Sequence, residues 1–334
     1  MRCAKFFLCY NANMKKLSLI CYLCSVLYSG ATYAAEGRFD FDRWNMILNK
    51  IQDRAVAENV DDRTINAAIQ DAAFIPKIVW RDQNQSEFKL TLGEYLAKTV
   101  NEKRIANGHK MRAKYPTLLN KVHQKYGVSP EVILAFWGLE SNYGETKGSS
   151  KLTDSFLTLI YEGRREQFFT DQMIALMKIS SKNRIQIEGV RGSWAGAMGH
   201  FQFIPTTLQQ YGADGNGDGR IDIINNISDA MFSAGNYLNR LGWNPNEKIV
   251  RRVELPENFD VSLCDGKTKK SLAEWAAMDI AGVPDANMEA GLVCDAANFS
   301  PALAYLTYPN FYRIKKWNNS NWYAIAIAEL AEKL

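Results

Sequence analysis

Glu140 is the residue of this chain best placed to move a proton. It closes the run Val132-Ile133-Leu134-Ala135-Phe136-Trp137-Gly138-Leu139 and is followed by Ser141-Asn142-Tyr143-Gly144. A carboxylate ending so apolar a run costs free energy if it faces the interior without a role. Burial disfavours its charged form and raises its pKa, which suits a general acid working near neutral pH. A helix-end Glu can equally reach water or pair with an arginine, and the run alone leaves both readings open. Glu145, the nearest other acid, lies beyond Gly144 and reads as a solvated loop residue.

A second stretch could hold a cation. Asp214-Gly215-Asn216-Gly217-Asp218-Gly219-Arg220-Ile221-Asp222 places side-chain oxygens at positions one, three, five and nine of an EF-hand loop, glycine at six and isoleucine at eight. The ligand set is then Asp214, Asn216, Asp218, Arg220, Asp222 and Asn225. Asn225 stands where a bidentate Glu is usual, which weakens the site. A structural Ca²⁺ is one reading and a solvated Asp/Asn/Gly turn the other. Cysteine chemistry is confined to a pair. Cys3, Cys9, Cys21 and Cys24 fall in the first 34 residues, leaving Cys264 and Cys294. In an exported protein such a pair forms one disulfide, worth about 3 kcal/mol, or stays as two buried thiols. Two cysteines are too few for a zinc site.

The elements that must position these groups are mostly helices. Ser129-Pro130-Glu131 supplies an N-cap hydroxyl, a first-turn proline and an early acid ahead of the run that ends at Glu140. That run is apolar on every side, so its helix is buried all round. Helical spacing recurs over 38–75 through Phe41, Trp44, Ile47, Leu48 and Ile51. It recurs again over 91–108 through Leu92, Tyr95, Leu96, Thr99 and Ile105, with Gly108 as a stop. Residues 152–161 and 167–179 read as two helices joined across Gly163-Arg164-Arg165, 227–241 as another, and 322–334 as the last. Residues 192–205, rich in glycine and small side chains, read as a tight turn. Only 248–263 alternates like a strand, through Ile249, Val250, Val253 and Val261. The class is mainly α, with a small β or irregular insertion near the cysteine pair.

Composition sets the context. The chain has 334 residues, 47% hydrophobic and 23% charged, an ordinary globular balance with enough length for a large core. Its 8 Trp and 15 Tyr fill cores first, although sugar clefts also use such rings as stacking platforms. The net charge of +4 comes from Arg2, Lys5, Lys15 and Lys16; without residues 1–34 the chain carries 36 basic and 36 acidic residues. Neutrality of the body argues against a nucleic-acid partner. Met14-Lys15-Lys16, an apolar run over 17–27 and Ser29-Gly30-Ala31-Thr32-Tyr33-Ala34 describe a secretory signal peptide over 1–34, with Met14 as an alternative start. The run is too short for stable membrane insertion. Ile20 and Leu23 precede Cys21 and Cys24 where a lipoprotein site wants small residues, so a soluble periplasmic protein is expected.

The block Gly138-Leu139-Glu140-Ser141-Asn142-Tyr143-Gly144 resembles the Glu-x-x-x-Gly helix end of lytic transglycosylases in the goose-lysozyme-like superfamily. Further blocks occur in the order of the membrane-bound lytic murein transglycosylase B family. These are Tyr126-Gly127-Val128, Gly163-Arg164-Arg165 with Phe168-Phe169, residues 192–199, Gln202-Phe203-Ile204-Pro205, residues 234–238, and Asn318-Asn319-Ser320-Asn321-Trp322-Tyr323. The resemblance covers nearly all of the chain after the signal segment. It implies a lysozyme-like α core. A helical lobe spans 36–120, the catalytic core with its EF-hand-like loop 121–245, a small β or irregular subdomain 246–300, and a segment completing the cleft 301–334. It also implies cleavage of the MurNAc–GlcNAc bond of peptidoglycan glycan strands with a 1,6-anhydromuramyl product, Glu140 serving as acid and then base, with no cofactor in the chemistry. Ser193 and Gln202 would bind sugar near the scissile bond; Tyr95, Tyr237 and Tyr323 would line or stack in the cleft. Asn318 would hold the N-acetyl group or the cationic intermediate. Arg164 and Arg165 would contact substrate or, alternatively, form a structural salt bridge. Where the family often has Tyr-Asn this chain has Trp317-Asn318, and His200 sits at a variable position. A monomer is the default. A hydrolytic muramidase of the same fold, or a non-catalytic peptidoglycan-binding protein, are the alternatives.

Overall fold

The computed structural model describes residues 39–84 and 90–334; the expected signal peptide lies outside them. Asp42–Leu334 cluster as one compact unit, and the architecture below is that of this unit. Its class is mainly α. Helix α7 (Pro130–Ser141) runs through its core, starting where Ser129 Oγ accepts the Val132 amide and Pro130 fills the first turn. Residues 132–138 are buried, so the apolar run has no polar side to show. Removing Val132, Ile133, Leu134, Phe136 and Trp137 from water contributes on the order of 10 kcal/mol gross. Packed around α7 are α5 (Glu102–Lys114), α6 (Pro116–Tyr126), α11 (Ile227–Arg240) and the last helix, α14 (Asn321–Ala331).

Gly108 does not stop a helix. The break falls earlier, at Val100, where Asn101 caps α5 by accepting the Arg104 amide. Gly108 lies within α5 because a Cβ there would strike Leu334 and stand 2.5 Å from the Tyr143 hydroxyl. That phenol lies between α5 and α7 and donates to the Arg104 carbonyl at 3.0 Å. The glycine signals close approach of two helices, which single-sequence reading cannot tell from a terminus.

Helices α1 (Phe41–Ala57), α2 (Asp62–Ile69) and α3 (Pro76–Gln83) pack against the pair α8 (Leu152–Glu162) and α9 (Glu166–Asn183), α1 through the ion pairs Lys50–Glu166 and Arg54–Asp171. Trp44, Phe74 and Tyr161 form one aromatic cluster, with ring centroids 5.0–6.2 Å apart. Gly163, at φ 93°, turns α8 into α9 in a conformation that side chains rarely adopt.

Short elements complete the numbering: β1 (Ser150–Lys151) pairs with β2 (Arg191–Gly192), and α10 (Pro205–Tyr211) and α12 (Leu272–Ala276) are brief helices. The insertion near the cysteines is a four-stranded antiparallel sheet in the order β3-β6-β5-β4, from β3 (Val250–Val253), β4 (Asp265–Ser271), β5 (Glu289–Cys294) and β6 (Ala304–Thr307). Periodicity finds β3 alone. β5 and β6 are buried at nearly every position, so no alternation appears, and β4 is an edge strand of sequence DGKTKKS whose lysines protect the edge. Trp275 fills the sheet's own core and donates to the Ala290 carbonyl at 2.8 Å. A disulfide joins Cys264 to Cys294. The sheet also positions two segments of the helical part. Strand β6 leads into α13 (Pro309–Trp317) and α14, while Asp295, just past β5, accepts the Leu92 amide at 2.9 Å and anchors α4 (Leu92–Thr99).

Candidate active site

Glu140 lies in the last turn of α7, which ends where Asn142 and Tyr143 turn left-handed at φ 48° and 59°. Its Oε1 accepts two hydrogen bonds, from the Tyr323 hydroxyl at 2.5 Å and from the Trp317 indole N–H at 3.1 Å. The residue remains partly open while its carboxyl is withdrawn from water. Desolvation outweighs both hydrogen bonds, which favour the ionised form, and the pKa is pushed up to about 7. Near neutral pH the group is therefore divided between acid and base forms. Glu145 is exposed and accepts from the Asn142 amide, as a solvated loop residue does.

Aromatic side chains surround this carboxyl. Tyr323, expected to line or stack in the cleft, is 5% exposed and offers Glu140 its hydroxyl rather than offering a ligand its face. Burial, and next the charge of Glu140, hold its phenol well above the ordinary range, so it stays a donor. Tyr95, on α4, also feels the Glu140 charge after the larger effect of its own burial. Trp317, at the end of α13, is wedged among Phe136, Phe203 and Tyr237, with centroids at 4.7, 5.1 and 4.9 Å. Tyr237 in turn stacks on Tyr211 at 4.4 Å. Sequence reading noticed Trp317 only as a ring lacking a phenol. Its N–H is the feature that matters, and the donor chemistry of indole was the signal available.

Ser193 and Gln202 sit in the tight turn over 192–203. Ser193 Oγ accepts the Ala197 amide at 3.0 Å; Gln202, at φ 48°, donates through Nε2 to the Gly199 and Lys147 carbonyls at 2.9 and 3.2 Å. The turn is fixed to the end of α7. Ser141 donates to the His200 carbonyl at 2.6 Å, and the Trp137 indole donates to His200 Nδ1 at 3.0 Å. Burial and then the charge of Lys147 push the His200 pKa down to about 4, so the imidazole is neutral and acts as an acceptor that holds the turn. Asn318 follows Trp317 as an exposed residue.

Arg164 and Arg165 are not brought to Glu140 by any of these bonds. Both guanidiniums converge on Asp82, whose side chain is 1% exposed, and Arg164 also donates to the Asp82 carbonyl at 2.8 Å. The Asp214 loop folds onto its own backbone. Asp214 accepts from Gly217 and Gly219, Asp218 from Arg220, Asp222 from Ile224, and Asn225 Nδ2 donates to Asp222 at 3.0 Å. Buried Asp229, outside the predicted ligand set, closes the loop by accepting the Gly215 and Asp222 amides, each at 2.9 Å. The donors are all oxygen, which fits a hard cation such as Ca²⁺. Among the described residues no three His, Cys, Asp or Glu side chains converge closely enough to hold a metal ion.

Relatives share this fold. The family described as the transglycosylase SLT domain matches residues 43–332. Membrane-bound lytic murein transglycosylase B of Escherichia coli strain K12 is 29% identical over 247 residues, covering 71% of this chain and 66% of that protein. The chain thus spans just under two thirds of that relative's length. SltB3 of Pseudomonas aeruginosa, solved in complex with NAG-NAM-pentapeptide, is 35% identical with a TM-score of 0.81, over 86% of this chain and 79% of that one. The Escherichia coli lytic transglycosylase Slt35, solved in complex with calcium, is 26% identical with a TM-score of 0.76, over 86% of this chain and 92% of that one. With the family match running from α1 to the end of α14, the chain belongs to the transglycosylase SLT domain family.

Proposed function

We propose that this chain is a lytic transglycosylase that cleaves the MurNAc–GlcNAc bond of peptidoglycan, with Glu140 as general acid and then general base. Protonated Glu140 gives its proton to the glycosidic oxygen as the bond to the muramyl C1 breaks. The muramyl C6 hydroxyl closes on C1, its proton returns to the ionised carboxylate, and a 1,6-anhydro ring results without consumption of water. One carboxyl therefore serves both steps, in contrast to the paired carboxylates of most glycosidases. The observation that carries this reading is a withdrawn carboxyl with a pKa near 7, held by two donors on one oxygen. A group that must give and regain a proton at neutral pH needs that value.

In this proposal Tyr95 and Tyr237 line the cleft, Asn318 holds the N-acetyl group or the cationic intermediate, and Ser193 and Gln202 contribute sugar contacts from the turn. The complex of SltB3 with NAG-NAM-pentapeptide supports glycan strands with attached peptides as the substrate class. Arg164 and Arg165 retain half-exposed guanidiniums on Asp82 that could still meet a peptide stem. Residues 36–120 form the lobe, 121–245 the catalytic core, 246–300 together with strand β6 the inserted subdomain, and the rest of 301–334 the segment that returns to the site. The protein acts as a monomer in the periplasm. A structural Ca²⁺ would be held by Asp214, Asn216, Asp218, Arg220, Asp222 and Asn225, a reading supported by the calcium complex of Slt35; it takes no part in the reaction.

The test is mass spectrometry of fragments released from purified sacculi by the parent and by Glu140→Gln. The parent is expected to yield fragments lighter by one water than hydrolytic ones, and Glu140→Gln none. Cleavage by Glu140→Gln at the parent rate would sink the assignment.

A further inference from the structure

Both hydrogen bonds to Glu140 end on the same oxygen. Oε1 receives the Tyr323 hydroxyl at 2.5 Å and the Trp317 N–H at 3.1 Å. An indole nitrogen carries one hydrogen and has no lone pair to accept with. A proton on Oε1 would therefore face another hydrogen along the Trp317 direction. Tyr323 is held in its protonated form by burial and by the neighbouring carboxylate. Its O–H is thus available to Oε1 in both states of Glu140, and Trp317, which can only donate, is the partner that decides which oxygen accepts.

From this geometry we propose that Trp317 is a positioning residue for the catalytic acid: together with Tyr323 it fixes Oε1 as a permanent acceptor, so the proton that Glu140 gives and regains is carried on Oε2. The inference deepens the function proposed above and rests on it. In the neutral acid Oε1 is the carbonyl oxygen, and in the carboxylate it keeps the same two donors. The carboxyl need not rotate between protonation and deprotonation, and only Oε2 has to face the glycosidic oxygen and later the C6 hydroxyl. Trp317 can perform this task because three rings hold it. Phe136 comes from α7 itself, Phe203 from the turn that carries Gln202, and Tyr237 from α11. The Tyr237 hydroxyl donates to the Lys316 carbonyl at 3.3 Å, tying α11 to the residue before Trp317. A residue that served only as a stacking platform would not need its ring edge turned to the acid.

The titratable groups facing Glu140 are Tyr323 from α14 and Tyr95 from α4, with Arg104 of α5 acting on Tyr95. Hydrogen bonds from Trp317 and Tyr323 favour the ionised form and oppose the effect of burial. Deleting the N–H must therefore raise the Glu140 pKa.

The experiment is a ¹³C NMR titration of the Glu140 side-chain carboxyl, with glutamate labelled at Cδ and Glu140→Gln used to assign its signal. It compares the full chain with Trp317→Phe and with a variant carrying β-(3-benzothienyl)alanine at 317, which keeps the bicyclic shape and lacks the N–H. Both variants are expected to raise the midpoint by about one pH unit, the equivalent of losing one hydrogen bond to a charged group. On sacculi the upper limb of the pH–rate profile should move up equally, and kcat should fall more than KM rises. A midpoint that stays put in the benzothienyl variant overturns the proposal, since shape is conserved there whatever happens to Trp317→Phe. So does a change confined to KM, which marks a sugar contact. Failure of the parent to cleave sacculi would instead strike the proposed function, and the NMR midpoint would still decide the role of Trp317.

Discussion

Keeping a carboxyl ready to act as an acid should cost this protein stability at alkaline pH, and Glu140→Gln should recover it. The folded-state pKa of Glu140 is about 7 against an ordinary 4.5. The folded protein thus holds this proton more tightly than the unfolded chain. Its contribution is fully present below about 4.5 and is lost as pH rises through about 7. At about 1.4 kcal/mol per pH unit, the full gap corresponds to about 3 kcal/mol, and partial exposure of the residue reduces this to about 2. The amide of Glu140→Gln would stay neutral, keep an acceptor for Tyr323 and Trp317, and escape that loss. Urea unfolding of the parent and of Glu140→Gln at pH 4 and pH 8.5 gives the comparison. The variant is predicted to exceed the parent by about 2 kcal/mol at the higher pH, or roughly 5 °C in melting temperature for a chain this size, and to match it within about 0.5 kcal/mol at the lower. A stability difference independent of pH would refute the reasoning, because it would mean that the carboxyl is as well hydrated in the folded state as in the unfolded chain.

Other parts of the structure yield separate expectations. Asp82→Ala leaves two half-exposed arginines without their shared carboxylate and should cost about 1–3 kcal/mol by thermal melting, less than for a fully buried pair. Equal melting temperatures would show that the cluster holds nothing together. Replacing both Cys264 and Cys294 by Ser opens a link spanning 30 residues and should cost about 3 kcal/mol in urea, an effect absent if the parent is measured reduced. Gly148→Ala places a Cβ against the Gly192 carbonyl at a φ of 90° and should displace the turn bearing Ser193 and Gln202, lowering turnover on sacculi more than tenfold with α7 intact. If Ca²⁺ occupies the Asp214 loop, millimolar calcium should raise the melting temperature, and Asp214→Ala should abolish the increase.

The sequence exposed the parts of this fold that local chemistry specifies. Ser129 and Pro130 announce the start of α7, the apolar run announces its burial, and Glu140 stands out because it interrupts that run. Helices such as α1 and α11 were legible from apolar residues repeating every three or four positions, whereas α3, α6 and α13, short and begun by proline, went unanticipated. What stayed hidden depends on partners distant in the chain. Gly108 reads as a terminus until Tyr143 and Leu334 are seen against it. Strands β5 and β6 lack alternation because both their faces are covered, and β4 looks like a loop because it is an edge. The placement of Tyr323 and Trp317 on one carboxylate oxygen joins residues more than 170 positions from Glu140. No spacing rule reaches across such a distance; a tyrosine in a site-forming block was foreseeable, but not that its hydroxyl would serve the acid.

The proposed return of a proton to Glu140 from the muramyl C6 hydroxyl, with no water consumed, is tested most directly by digesting sacculi in H₂¹⁸O. Fragments released by the parent are predicted to carry no heavy oxygen at the new muramyl terminus. Stoichiometric ¹⁸O at that position would contradict the account, since it would identify water, activated at the same carboxyl, as the group that closes the reaction.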